Sequence, residues 1–160
     1  MADLRVGLGY DLHAYAAERR LVLGGAEIAY SRGLAGHSDG DVLAHAVADA
    51  LLGAAGWDDI GEWFPPDDAT YRGARSLELL RQIVARLSAA GWRVVNVDVA
   101  VVAQEPRLAP YRETLRANLA AVLGVPGERV NVKFTAPERL GALGRVEGVA
   151  ALATALIERE

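Results

Sequence analysis

Cysteine is absent from the 160-residue sequence, which excludes disulfides, thiolate zinc sites and cysteine nucleophiles. Long apolar runs are also missing, since no stretch approaches the ~18 apolar residues of a membrane-spanning helix. The first seven residues lack the basic and then apolar layout of a signal peptide. We therefore expect a cytoplasmic protein that does not bind a membrane.

An excess of basic residues is lacking as well, because the net charge is -4 at pH 7. Nucleic-acid grooves are usually basic, so this balance argues against nucleic acid as a partner. The content of 52% hydrophobic and 24% charged residues is ordinary for a folded globular chain. No repeat or polar linker interrupts it, and we expect one domain over residues 1–160.

Several common catalytic fingerprints are incomplete. Gly7 and Gly9 lack the remainder of a dinucleotide loop, and neither a Walker-type loop nor a Gly-x-Ser-x-Gly elbow occurs. The acidic run from Asp39 to Asp41 resembles part of a calcium loop, but the twelfth position from Asp39 is Ala50 and not glutamate. The hydrolase, kinase and EF-hand templates therefore find no support.

Hydrophobic periodicity predicts strands mixed with three helices. The predicted strands are residues 4–13, a hairpin over 22–28 that turns at Gly24-Gly25, 94–103 and 130–135. The predicted helices begin near residues 39–41 with Ser38 or Asp39 as the cap, at residue 77 and at Pro110. Residues 31–40 and 57–73 are predicted to be loops. Residues 146–157 are ambiguous, because their alanines favour a helix whereas their apolar positions also fit a period of two.

These elements predict an α/β (α+β) fold with a single mixed β-sheet and helices packed on one face. The strands are largely apolar, so the uncovered face of the sheet needs a partner. We therefore expect the chain to form an oligomer.

All three histidines, His13, His37 and His45, lie within 33 residues. Asp11 and His13 are two apart on a predicted strand and point to the same side of it. His45 lies in the first turns of the helix that follows. Three protein ligands with nitrogen and oxygen donors, and a fourth position left open, are typical of a catalytic zinc site. Zinc or another borderline divalent ion suits these donors.

Several short motifs, in this order along the chain, together resemble the signature of one family. They are Asp11-Leu12-His13, His37-Ser38-Asp39-Gly40-Asp41, His45, Asp59-Ile60-Gly61, and Gly144-Arg145 with Glu147-Gly148. The set is similar to that of the 2-C-methyl-D-erythritol 2,4-cyclodiphosphate synthase family of the non-mevalonate isoprenoid pathway, from about residue 5 to residue 150. The resemblance implies a small-molecule substrate, a CDP-linked methylerythritol whose 2-phosphate attacks the β-phosphorus and expels CMP.

The resemblance also implies two divalent metal ions. Zinc would be bound by Asp11, His13 and His45, and Glu138 would help to hold magnesium or manganese at the diphosphate. His37 matches a catalytic residue near the transition state. The implied substrate-binding residues are Ser38, Asp59, Ile60, Gly61, Phe64, Asp68, Ala103, Arg107, Leu108, Ala142 and Arg145.

The sequence departs from the family pattern just before Glu138. The family usually has three threonines there, and this chain has Thr135, Ala136 and Pro137. The middle threonine is assigned to transition-state stabilisation, so either Thr135 or the backbone amide of Ala136 would take that role.

The family is homotrimeric, with sheets that face a three-fold axis and active sites between subunits, and its terminal segment is a strand. An axial cavity, where Tyr10 and Arg145 would lie, can take an isoprenoid diphosphate. Two alternatives stay open from the sequence. The same three ligands would suit a metal-dependent phosphodiesterase, and Ala136 is compatible with a non-catalytic trimer that binds metal or nucleotide.

Overall fold

Residues 2–159, the part of the chain that this computed structural model describes, contain seven strands, five α-helices and three short 3₁₀ helices. The strands are β1 (Asp3–Ala16), β2 (Leu21–Leu23), β3 (Ala26–Ile28), β4 (Gly33–Leu34), β5 (Arg93–Val102), β6 (Val130–Thr135) and β7 (Gly148–Arg159). The helices are α1 (Val42–Ala55), α2 (Ile60–Trp63), α3 (Ser76–Ala89), α4 (Arg112–Leu123) and α5 (Gly141–Gly144). Within this part of the chain, no helix combines the length and apolarity needed to cross a membrane.

Five strands form one mixed sheet in the order β4-β1-β7-β5-β6, which confirms the predicted fold class. Strand β7 pairs antiparallel with both β1 and β5, and β5 pairs parallel with β6. β2 and β3 form the predicted hairpin. The ambiguous tail is therefore a strand, as the resemblance implied. Its alanines suit this place, because both edges of β7 are paired and its inner face packs against α1.

Helix α1 lies directly against β1 because two positions of that strand have no side chain. A Cβ atom at Gly7 or Gly9 would overlap the carbonyl oxygen of Ala50 or Ala46, respectively. The helix contributes alanines at these contacts, so backbone meets backbone. This close approach brings the first turn of α1 next to the middle of β1, where Asp11 and His13 lie.

The other face of β1 is apolar and exposed. Alternate residues of the strand point away from α1, and Val6 is 72% exposed. The large hydrophobic residues exposed on this face are Leu4, Val6, Leu8, Tyr10, Leu12 and, on the neighbouring strand, Leu152. We call this set the outer stripe. Its presence agrees with the prediction that one sheet face lacks a cover.

Four local predictions were wrong in detail. The N-cap of α1 is Asp41 and not Ser38 or Asp39, because the buried Asp41 carboxylate accepts a hydrogen bond from the Ala44 amide at 3.0 Å. The predicted loop 31–40 contains β4, which pairs with the end of β1. The predicted loop 57–73 contains α2, capped by Asp59. The third long helix begins at Arg112, after a 3₁₀ turn that contains Pro110.

Candidate metal centre and active site

The structure brings Asp11, His13 and His45 together at one point, as their spacing predicted. Strand β1 directs Asp11 and His13 to the same side, and α1 supplies His45 from its first turn. The Asp11 Oδ2 atom lies 2.8 Å from His13 Nε2 and 3.0 Å from His45 Nδ1. The two ring nitrogens are 3.2 Å apart.

This geometry fits a small divalent ion. Tetrahedral donors at zinc distances of ~2.0–2.1 Å lie about 3.3 Å from one another. The observed separations of 2.8, 3.0 and 3.2 Å are only slightly shorter, so a small outward movement of the three side chains makes room for the ion. Two imidazoles and one carboxylate suit zinc and leave a coordination position for a substrate oxygen.

The protonation equilibria of the group favour a charged carboxylate. Burial opposes ionisation of Asp11, but hydrogen bonds from His13 and His45 outweigh it and hold the pKa of Asp11 well below its usual range. Burial also lowers the pKa of His13, but the hydrogen bond and charge of Asp11 prevail and the pKa is raised. Asp11 is therefore ionised at neutral pH, the state that a metal ligand requires.

A cavity of about 190 Å³ opens beside the three ligands. Several residues expected to bind substrate line it, namely His37, Ser38, Ile60, Gly61 and Phe64. Tyr71 and Leu79 also line it and were missed by the sequence analysis, because nothing in their local pattern distinguishes them from packing residues. Tyr71 meets Phe64 edge to face, with ring centroids 5.1 Å apart.

Two predicted substrate residues, Asp59 and Asp68, act as caps. Asp59 accepts hydrogen bonds from the amides of Gly61 at 2.8 Å and Glu62 at 3.1 Å, and so begins α2. Asp68 accepts from Thr70, and these hydrogen bonds lower the pKa of Asp68. Among the described residues, the cavity lining includes neither carboxylate.

The loop that carries His37 is held by an arginine that the sequence analysis did not single out. Arg19 donates from Nη1 to the carbonyl of Gly36 at 2.7 Å and from Nη2 to the carbonyl of Ser38 at 2.6 Å. The guanidinium thus bridges the residues on either side of His37. No sequence signal marks Arg19, because its partners are backbone atoms.

A second group of predicted residues lies where β5 and β6 end. The Ala103 amide donates to the Thr135 carbonyl at 3.1 Å, and the Arg139 amide donates to Gln104 Oε1 at 2.9 Å. Glu138 and Arg139 adopt left-handed φ values of 52° and 61°, which are strained for residues with side chains. The residues of this group that were predicted to belong to the active site are Ala103, Arg107, Leu108, Thr135, Ala136 and Glu138.

This second group is separate from the cavity in the single chain. Over residues 2–159, none of its members contributes to the cavity lining. Leu108 is buried in the hydrophobic core, and Arg107 is exposed. Within the described chain, the predicted site residues therefore fall into two separate groups.

Two predicted site residues remain. Ala142 lies in α5, and Arg145 directly follows that helix. The Ala142 carbonyl accepts from the Arg145 amide at 3.2 Å and from the Glu147 amide at 3.1 Å. Arg145 Nε also lies 2.6 Å from Glu147 Oε1, so this guanidinium is paired within the chain.

A larger cavity of about 450 Å³ lies toward the opposite end of the sheet, where Trp92, Arg93 and Arg129 line it. Its lining within residues 2–159 includes no carboxylate and no histidine. Since the three candidate metal ligands and several predicted substrate residues meet at the smaller cavity, that cavity is the candidate site.

Comparison with known proteins points to one family. Residues 4–158 match the family model described as the YgbB family. The chain is 57% identical over 162 aligned residues to a 2-C-methyl-D-erythritol 2,4-cyclodiphosphate synthase of Rubrobacter xylanophilus, covering 99% of this chain and 98% of the relative. It is 54% identical over 156 residues to the synthase of Syntrophomonas wolfei, covering 98% and 99% of the two chains.

Solved structures agree with the sequence relatives. The bifunctional IspDF of Campylobacter jejuni superposes with a TM-score of 0.96 at 40% identity, over 100% of this chain and 43% of that longer protein. The CDP complex of IspF from Plasmodium falciparum has a TM-score of 0.86 at 31% identity and covers 98% of this chain and 97% of that one.

Proposed function

The chain belongs to the YgbB family, whose relatives above are 2-C-methyl-D-erythritol 2,4-cyclodiphosphate synthases, and we propose that Asp11, His13 and His45 form its metal centre. The family reaction converts 4-CDP-2-C-methyl-D-erythritol 2-phosphate to the 2,4-cyclodiphosphate and CMP. The observation that carries the proposal is the convergence of three donor atoms, within 3.2 Å of one another, beside the cavity.

The chemistry needs alignment and charge neutralisation more than proton transfer. An oxygen of the 2-phosphate forms a bond to the β-phosphorus. The bond between that phosphorus and the oxygen that bridges to the α-phosphorus breaks, and CMP leaves with the electron pair. Because the nucleophile is already an anion, no strong general base is required.

Zinc is the ion that we propose for the three ligands. When bound, it polarises the β-phosphate as a Lewis acid. We propose that Glu138 helps to hold magnesium or manganese at the diphosphate. The chain has a net charge of -4, so two divalent ions would supply the positive charge that a polyanionic substrate requires.

The loop with His37 and Ser38 is proposed to bind the methylerythritol phosphate end. Both side chains line the cavity, and Arg19 fixes the backbone on either side of His37. Ile60, Gly61 and Phe64, with Asp59 and Asp68 beside them, are proposed to continue the substrate site. Ala142 and Arg145 are assigned to the substrate on family resemblance.

The cytidine end is proposed to bind at the second group, with Ala103, Arg107, Leu108 and Thr135. The P. falciparum relative is described as a CDP complex, which supports a nucleotide site in this fold. Thr135 or the backbone amide of Ala136 is proposed to stabilise the transition state.

Assembly as a homotrimer would join the two halves of the site. The outer stripe provides an apolar sheet face that can pack around a three-fold axis, and each active site would then lie between neighbouring subunits. An isoprenoid diphosphate is a proposed ligand of the axial cavity near Tyr10 and Arg145. We also propose one domain over residues 1–160, and the cytoplasm as its compartment because a CDP-linked substrate comes from the nucleotide pool.

Product analysis by mass spectrometry tests the proposed chemistry. The protein, loaded with zinc and magnesium, is given the CDP-linked substrate, and the expected products are the cyclic diphosphate and CMP in equal amounts. An open-chain phosphorylated product together with CMP would indicate a phosphodiesterase instead. Substrate binding without turnover would indicate a non-catalytic trimer.

A further inference from the structure

The His45 ring is held from both sides. Its Nδ1 atom faces Asp11, and its Nε2 atom faces the hydroxyl of Ser76 at 2.9 Å and that of Ser38 at 3.2 Å. Ser76 is the first residue of α3 and is only 1% exposed. The nitrogen that points away from the metal centre therefore lies against a buried serine on another helix.

The hydrogen-bond partners of Ser76 determine which way its proton points. The Ser76 hydroxyl donates to Asp39 Oδ1, because a carboxylate can only accept. A hydroxyl has a single hydrogen, so the Ser76 oxygen can only accept from His45. Without metal, the Nδ1–H of His45 can donate to Asp11. When zinc takes the Nδ1 lone pair, the proton of the neutral ring must be on Nε2, and the Ser76 oxygen is then its acceptor.

Asp39 is fixed as an acceptor by backbone contacts. Its carboxylate also accepts from the amide of Asp41 at 3.3 Å and from the amide of Ser76 at 3.2 Å. Its own amide donates to the carbonyl of Ala74 at 3.1 Å. The Asp39 side chain thus joins the loop before α1 to the start of α3, and its position does not depend on His45.

We propose that Ser76 and Asp39 are positioning residues of the metal centre, which orient His45 and accept its Nε2 proton when Nδ1 binds zinc. The sequence motif His37-Ser38-Asp39-Gly40-Asp41 contains Asp39, but neither the metal set nor the substrate set used it. Partners of this kind orient histidine ligands in zinc proteins, and their loss typically reduces metal affinity by about 10- to 100-fold.

The proposal rests on zinc binding by Asp11, His13 and His45. It predicts that Ser76→Ala and Asp39→Asn raise the zinc dissociation constant by about 10- to 100-fold. In Asp39→Asn, the amide can donate to Ser76, which lets the serine proton turn toward His45 and oppose the Nε2 proton that zinc binding at Nδ1 requires. Ser88→Ala is the matched control, because Ser88 is an exposed serine of the same helix.

The measurement is competition for zinc with a chelator, together with NMR of ¹⁵N-histidine-labelled, zinc-loaded protein. Wild type and Ser88→Ala are expected to bind zinc equally and to show a slowly exchanging, hydrogen-bonded Nε2 proton on His45. Ser76→Ala and Asp39→Asn are expected to lose affinity and to exchange this proton faster. Melting temperatures of the metal-free proteins report whether a loss of affinity comes from unfolding.

The outcomes separate this inference from the proposed function. If the wild type binds no zinc, or if His45→Ala binds it as tightly as the wild type, the proposed metal centre is wrong. If the wild type binds zinc but the two variants keep its affinity and its slowly exchanging Nε2 proton, only the positioning role falls. A reduced affinity with unchanged exchange of the Nε2 proton would also overturn it.

Discussion

The Nδ1 atom of His45 lies 3.0 Å from Oδ2 of Asp11, although the two residues are 34 positions apart in the sequence. This contact joins the first turn of α1 to the middle of β1. It depends on the absence of side chains at Gly7 and Gly9, which lets the helix rest on the strand. The meeting of the three proposed metal ligands therefore depends on backbone packing as well as on the ligands themselves.

The first prediction concerns Gly9. A Cβ there would overlap the Ala46 carbonyl one residue from His45, so Gly9→Ala must push α1 away from β1. We expect a loss of about 1–3 kcal/mol in the free energy of unfolding, as for overpacked cores, and weaker zinc binding. Denaturant unfolding and chelator competition measure the two effects.

Gly53→Ala is the control for Gly9→Ala. Gly53 lies in the exposed part of α1, and an added Cβ would meet only the Leu8 carbonyl at 3.9 Å. Removing a glycine from the interior of a helix is expected to stabilise the protein by roughly 0.5–1 kcal/mol. If both variants bind zinc like the wild type, close packing at Gly9 does not set the position of His45.

The second prediction concerns Asp41, which is 0% exposed. Its carboxylate accepts hydrogen bonds from the amides of Gly24 at 2.9 Å, Gly25 at 2.8 Å and Ala44 at 3.0 Å. Burial raises the pKa of Asp41 to about 6. A raised pKa means that the folded state binds the proton more tightly than the unfolded state. The contribution of Asp41 to stability is therefore fully present below about pH 4 and is lost as the pH rises through 6.

Comparison with Asp41→Asn isolates this effect, because other titrating groups are common to both proteins. The free energy of unfolding of the wild type minus that of the variant is expected to increase as the pH falls from 7.5 to 5. An asparagine oxygen cannot replace both carboxylate oxygens, so the variant is expected to be less stable at every pH in this range. A difference that shrinks toward pH 5 would contradict the assigned pKa.

The third prediction concerns the outer stripe. If the stripe packs around a three-fold axis, Val6→Asp places a charge in an apolar interface and is expected to give monomers with little turnover. Light scattering at micromolar concentration measures the mass, with the trimer expected for the wild type. Ala85→Glu, on the exposed side of α3, is the control and should leave the mass unchanged. A wild-type mass of a monomer or dimer would refute the trimer.

Much of the fold was predictable because its signals are local. The period of two in β1 placed Asp11 and His13 on one side, and the helix that follows supplied His45. The N-cap was misplaced because Asp41 is fixed by Gly24 and Gly25, whose proximity depends on tertiary structure. Propensity could not identify β7 either, since the alanines that favour a helix in isolation fit a strand buried between two neighbours.

The contacts that support the proposed metal centre were not predictable from the sequence. Ser76 resembles an ordinary residue at the start of a helix, and its role depends on α3 meeting α1 beside His45. Arg19 donates to backbone carbonyl oxygens, which every residue has. No particular residue type in the sequence therefore indicates which partners Arg19 will have. Local patterns report secondary structure and clusters of unusual side chains, whereas these contacts appear only when the chain is folded.

The fourth prediction concerns Ala136, where the family usually has threonine. Losing one donor to the developing charge costs about 2.7–4 kcal/mol, or roughly a hundred- to thousandfold in rate. We expect Thr135 or the Ala136 amide to supply that donor here. Ala136→Thr is therefore expected to raise the single-turnover rate by less than about tenfold. A hundredfold gain would show that the donor is missing and would favour the non-catalytic trimer.

The central claim is that Asp11, His13 and His45 bind one metal ion needed for cyclisation, while His37 serves the substrate. Metal content per chain after desalting, measured with turnover for wild type, His37→Ala and His45→Ala, tests it most directly. We predict about one tightly bound zinc per chain in wild type and in His37→Ala, little in His45→Ala, and reduced turnover in both variants. Equal loss of metal in the two variants would contradict the claim.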